Sequence, residues 1–250
     1  MQKLIKIAKR IMLIIVSLIG LTAIVTYFYM RQPKFGQLPK EKRLERIQQS
    51  PHYKDGKFRN LVEKPTISAG YSIIGEIYKT FVRTIPNKRP DSPLPSVKTN
   101  LKTLPRNEDV LVWFGHSSFF LKVNKTNILV DPVFSGSTSP IPGSVKAYKG
   151  TDIYKVEDLP KIDYLLISHD HYDHMDYKTV LKLRTKVSYV ICGLGVGAHF
   201  EYWGFSKEKI IEQDWGGKVS VKNNFNIYTE SIHHASGRGF SSNKELPKIF

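Results

Sequence analysis

Ile162-Asp-Tyr-Leu-Leu-Ile-Ser168 runs straight into His169-Asp170-His171-Tyr172-Asp173-His174. The apolar run reads as a strand buried on both faces, and the polar burst after it marks the strand's carboxyl end. The pattern is His-x-His-x-Asp-His. In an extended segment, residues two apart project to the same side, so His169 and His171 can grip one ion. Asp173 and His174 fall at the turn into the next helix and can address a second ion beside the first. Imidazole with carboxylate is a borderline donor set that suits zinc, with iron or manganese also compatible. Carboxyl ends of strands are where α/β sheets bind ligands. A merely solvated histidine-rich loop gives no reason for this spacing at that place.

Upstream, residues 110–113, 118–123 and 127–130 are short apolar or alternating runs with a turn at 124–126, and they predict a meander of strands. Pro132 closes the third, and 135–160 reads as loop. Downstream, the spacing predicts helices over 177–184 and 196–203, and strands over 187–191, 209–212 and 226–231. Strands in runs, with helices between the later ones, indicate a layered α/β fold. Gly193, Gly195 and Gly197 lack the Gly-x-Gly-x-x-Gly spacing of a dinucleotide loop, which excludes a Rossmann reading. Lone Cys192 sits in an apolar strand and excludes both an intramolecular disulfide and a cysteine-built zinc module.

Residues 11–30, IMLIIVSLIGLTAIVTYFYM, carry no charge. As a helix they extend about 30 Å, the hydrocarbon thickness of a bilayer. Lys3, Lys6, Lys9 and Arg10 precede them, and no small-x-small cleavage site follows, so an uncleaved single-pass anchor in the cell membrane is expected. Both flanks are basic, which leaves the orientation open. The net charge of +16 is uneven: residues 1–110 hold 21 Lys/Arg against 8 Asp/Glu, and 111–250 hold 17 against 14. The excess belongs beside the apolar stretch, where each basic side chain near anionic headgroups adds about 1 kcal/mol of attraction. Its aromatics are not interleaved as a stacking platform for bases requires, so no nucleic-acid partner is expected. The expected division is a tail and anchor over 1–30, a basic proline-rich linker over 31–109 with short helices near 40–49 and 71–82, and a folded domain over 110–250.

Several motifs join the histidine run: Trp113-Phe-Gly-His-Ser-Ser118, Leu129-Val-Asp-Pro-Val-Phe134, Leu194-Gly-Val-Gly-Ala-His199 with Trp203-Gly204, Asp214-Trp215, and His234-Ala-Ser-Gly-Arg238. Over residues 110–240 the combination resembles the metallo-β-lactamase-fold hydrolases, in the branch that contains N-acyl-phosphatidylethanolamine-hydrolysing phospholipase D. The resemblance implies an αββα sandwich and two zinc ions. It implies that His169, His171 and His234 hold the first ion, with His233 one register away, and that Asp173 and His174 hold the second. Family members supply a bridging Asp and a final His from the second half of the domain. Sixteen residues follow His234 here and none is Asp or His, so the chain reads as a member with an incomplete second half and an incomplete second site.

The implied reaction is attack of an activated water on the phosphorus of a phospholipid, with Asp173 orienting that water and Arg238 either contacting the anionic substrate or capping a loop. A lactonase or nuclease on the same fold, or an inactive remnant, are the alternatives. His116 reads as a hydrogen-bonding turn residue, Asp131 as a support or turn former near the metals, and His199 as a helix-flank residue.

Overall fold

The computed structural model describes residues 1–59, 70–83, 86, 87, 89–105, 107–232 and 236–239. An apolar helix, α1 (Gln2–Met30), opens the chain. It is long and apolar enough to cross a membrane, and none of its residues is buried. The basic tail continues the helix rather than preceding it, so α1 is 29 residues long. After it come α2 (Glu41–Gln48), a two-stranded hairpin β1 (Tyr53–Lys54) and β2 (Lys57–Phe58), and α3 (Ile73–Phe81). The β1–β2 turn is Asp55-Gly56, both at positive φ, the backbone that Asp-Gly turns provide.

The central sheet contains β3 (Val110–Gly115), β4 (Ser118–Val123), β5 (Thr126–Val130), β6 (Ile162–Ile167), β7 (Val187–Gly193) and β8 (Ile210–Gln213), paired in that order. The first three form an antiparallel meander. From β5 to β8 the pairing is parallel, with α4 (Tyr177–Leu183) and α5 (Gly197–Tyr202) in the crossovers. Alternation along each strand sorts the two faces. Phe120, Leu129, Leu165, Ile167, Val190 and Cys192 meet Val180, Leu183 and Phe200 from the helices on one side. Ile128, Val130, Tyr164, Leu166 and Ile191 point the other way.

That second face is covered by a hairpin, β9 (Gly217–Val221) with β10 (Phe225–Thr229), through Val219, Val221, Phe225 and Ile227. The result is a mixed α/β architecture of helices, sheet and hairpin in layers, consistent with the metallo-β-lactamase fold. The sequence reading has no strand at β9, because Gly-Lys-Val-Ser-Val offers only two inward apolar residues. Their burial depends on the sheet beneath, not on local pattern. Beyond the hairpin, Leu111 and Trp113 on β3 remain about two-thirds exposed.

The segment before the sheet is packed onto it. Ile47 of α2 has no exposure and lies in the larger core cluster. Arg43 spans Glu212 at 2.8 Å and Glu201 at 2.9 Å, and Arg46 donates to the Glu212 carbonyl. These two cations are therefore engaged by the domain. Ile47→Ala should lower unfolding free energy by about 2–5 kcal/mol, read from the denaturant midpoint. An unchanged midpoint would show that α2 contributes nothing to the core.

Candidate metal centre

Strand direction gathers the site. β5 and β6 are parallel neighbours, so Val130 lies opposite Leu166 and the residues after both strands emerge together. β4 runs antiparallel to β5, with Phe119 opposite Val130, which returns the 115–118 turn to the same edge. β7 ends there too, and α5 follows it. His116, Asp131, His169–His174 and His199 thus come from four separate connections to one sheet edge, the usual place for ligands in such sheets.

The loop after β6 is a tight turn in which the Met175 and His174 amides donate to the His171 carbonyl, at 2.8 and 3.1 Å. Asp176 stops it by capping α4: its carboxylate accepts from Lys178 N, Ser135 N and Thr179 Oγ1. Within this turn His169 Nε2 lies 3.1 Å from His171 Nδ1. One donor atom each from His169, His171 and Asp173 falls within a 4.8 Å circle, and a second such group joins His116, Asp173 and His174. Ligand bonds of about 2.0–2.1 Å at tetrahedral or octahedral angles separate neighbouring ligand atoms by about 2.9–3.4 Å. His169 Nε2 to His171 Nδ1 at 3.1 Å and His116 Nε2 to Asp173 Oδ2 at 3.0 Å fall in that range, so these donors fit a divalent ion, and the remaining spacings, up to 4.8 Å, would close on binding.

Hydrogen bonds fix which nitrogens are available. The buried Asp131 carboxylate accepts Ser168 N–H at 2.8 Å, Ser168 Oγ–H at 2.6 Å and His174 Nδ1–H at 2.8 Å. A carboxylate is only an acceptor, so His174 carries its proton on Nδ1 and presents Nε2 as a lone pair. Ser168 has spent its proton on Asp131, so His169 Nδ1, 3.1 Å away, donates to Ser168 Oγ. That leaves the lone pair of His169 on Nε2, the atom that faces His171 Nδ1 at 3.1 Å. Asp131 achieves this reach at φ 40, before Pro132. An αL conformation in a non-glycine residue costs free energy and here aims a side chain at the site. His116, also at positive φ, places Nε2 3.0 Å from Asp173 Oδ2.

Residues 126–248 match the profile of the beta-lactamase superfamily domain. An uncharacterised protein of Mycobacterium tuberculosis is 32% identical over 203 residues, covering 80% of this chain and 54% of that protein. The N-acyl-phosphatidylethanolamine-hydrolyzing phospholipase D 1 of Caenorhabditis elegans is 28% identical over 139 residues, 52% of this chain and 38% of that one. A UPF0173 metal-dependent hydrolase of Caldivirga maquilingensis is 27% identical over 134 residues, 52% and 50% of the two chains. The chain spans about half the length of the mycobacterial relatives it matches.

Of the expected ligands in the beta-lactamase superfamily domain, His169, His171, Asp173 and His174 are brought together. His234 and its neighbour His233 lie outside the described residues. Arg238 is placed apart from the donor group. It is 3% exposed, and its guanidinium donates to the carbonyls of Lys34, Asp170 and Met175 at 2.7–3.0 Å, stacked over Tyr172 and Trp203. This burial favours the loop-capping alternative over substrate contact: the cation ties loops together behind the site. His199 is likewise more than a helix-flank residue, being buried with Nε2 3.6 Å from Asp170 Oδ2.

Burial opposes charge on Asp170. The neighbouring His199, the Ser236 hydroxyl and the Gly237 amide outweigh it and hold the carboxyl well below the usual range. Burial pushes the His199 imidazole below its ordinary value, so it is neutral beside that carboxylate at pH 7. The buried Cys192 thiol is pushed up, again by burial, and is unreactive.

Proposed function

We propose that this protein is a membrane-anchored, zinc-dependent phosphodiesterase that cleaves phospholipids such as N-acyl-phosphatidylethanolamine. The observation that carries the reading is the convergence of one ligand atom each from His169, His171 and Asp173, all within 4.8 Å of one another at one strand edge. When bound, divalent cations would supply a water acidified toward neutral pH and a Lewis acid for the phosphoryl oxygen. His169 and His171, with His234, would hold one ion; Asp173 and His174 would face the second. Asp131 and Ser168 keep His169 and His174 in the tautomers that expose a lone pair. Asp173 is placed to accept a proton from the attacking water and to orient it. His116 Nε2 braces that carboxylate from the opposite side.

The lipid substrate is supported by the name of the nematode relative and by α1, which would hold the domain at the bilayer. Iron suits the same donor set. Purified full-length protein should be offered vesicles containing N-acyl-phosphatidylethanolamine, a sugar lactone and single-stranded RNA, with zinc present. Formation of phosphatidic acid and N-acylethanolamine in the vesicles, with the lactone and RNA untouched, is the expected result. Turnover of lactone or RNA, with the vesicles untouched, would overturn the lipid assignment.

A further inference from the structure

The residues leaving α1 are bound in behind the histidine loop. Trp203 Nε1 donates to Pro33 O at 2.9 Å, Arg238 Nε to Lys34 O at 3.0 Å, and Gln37 N–H to His199 Nδ1 at 3.0 Å. Phe35 meets the Tyr172 ring edge-on, with centroids 6.3 Å apart. Gly36 has φ 73 and lies so close to the His199 ring that a β-carbon would collide with it. Five consecutive residues, 33–37, therefore each touch a side chain of the network under the site.

Those contacts lead to Asp170. Because Nδ1 of His199 accepts the Gln37 amide, the proton of the neutral ring sits on Nε2, the atom that faces Asp170 Oδ2. Asp170 stands between His169 and His171 in the chain. Its Oδ1 accepts Ser236 Oγ and Gly237 N, both at 2.7 Å. Arg238 Nη1 returns to the carbonyls of Asp170 and Met175. One buried carboxylate thus fastens the histidine loop to the segment that follows His234.

We propose that residues 33–37 are a positioning strap for the metal centre. Gly36 and Gln37 fix His199, His199 fixes Asp170, and Asp170 holds the loop that carries His169, His171, Asp173 and His174. None of the strap residues touches the metal. The inference rests on the metal reading above and extends it: affinity for the ion depends on the chain that exits the apolar helix. Substitutions in the shell that orients metal ligands typically weaken binding by about 10–100-fold.

The test uses full-length protein well below its melting transition, with the zinc dissociation constant measured by competition against a chromophoric chelator. Gly36→Ala should weaken zinc binding by about 10–100-fold. Trp203→Phe removes the Nε1–H donated to Pro33 O, with part of the ring that packs on Arg238 and Tyr177, while keeping an aromatic ring beside His199, and should weaken it by about 3–10-fold. Imidazole ¹⁵N spectra of the metal-free wild type should show His199 as the Nε2–H tautomer, and Trp203→Phe should blur it. Should Gly36→Ala fail to fold, the Trp203→Phe affinity and the spectra decide. Wild-type zinc affinity in the folded variants, even with a lowered melting point, overturns the strap. A wild-type chain that takes up no zinc overturns the strap and the reading beneath it together.

Discussion

His171→Ala is expected to leave a folded protein that has lost its metal and its turnover. His171 is partly exposed on a tight turn whose backbone bonds involve its carbonyl, not its ring, so the substitution spares the core. Its Nδ1 faces His169 Nε2 at 3.1 Å, and no other described side chain can take that place. Zinc binds a complete four-ligand protein site with about 10–16 kcal/mol, so one ligand is worth roughly a hundred- to a thousandfold in affinity. Metal analysis after dialysis should fall to background, and hydrolysis with it, while the thermal transition of the metal-free protein stays where the wild type's is. Undiminished metal content would remove His171 from the ligand set.

Asp131 is expected to give the largest loss of stability and metal together. It is 3% exposed and accepts three hydrogen bonds from Ser168 and His174. Asp131→Ala strands those donors, and each buried unmet donor costs about 1–3 kcal/mol. A fall of about 3–9 kcal/mol in unfolding free energy follows from the same accounting. Asp131→Asn separates the two roles. The amide can still accept from Ser168 N–H, but its NH2 now confronts the Ser168 hydroxyl and His174 Nδ1–H. His174 must then move its proton to Nε2, the atom meant for the ion. Zinc affinity should drop by about 10–100-fold in the Asn variant, with a smaller change in melting point than in the Ala variant. Equal effects on stability and affinity in both would contradict the tautomer argument.

The strand at β6 and the loop after it were legible because both signals are local: an apolar run for the strand, a two-residue ligand spacing for the site. The meander β3–β5 was legible for the same reason. The roles of His116 and Asp131 were less so. Each meets the loop across about forty to sixty residues of chain, and only the antiparallel return of β4 and the parallel pairing of β5 with β6 bring them there. The Gly-His-Ser turn lets His116 reach the site from the first hairpin, but nothing local in the sequence says that it meets Asp173. Arg238 stays ambiguous in the sequence, substrate contact or loop cap, because its burial depends on Tyr172 and Trp203, which sequence spacing does not connect. Pro33-Lys-Phe-Gly-Gln37 has the composition of a linker, and nothing local announces that its carbonyls and amides serve side chains well over a hundred residues away.

Zinc K-edge X-ray absorption on the purified full-length protein tests the central claim most directly. Imidazole scattering from at least two histidines, with first-shell nitrogen or oxygen at about 2.0–2.1 Å, is the predicted spectrum, and it should lose one imidazole in His171→Ala. A first shell of oxygen alone, unchanged by that substitution, would contradict the account.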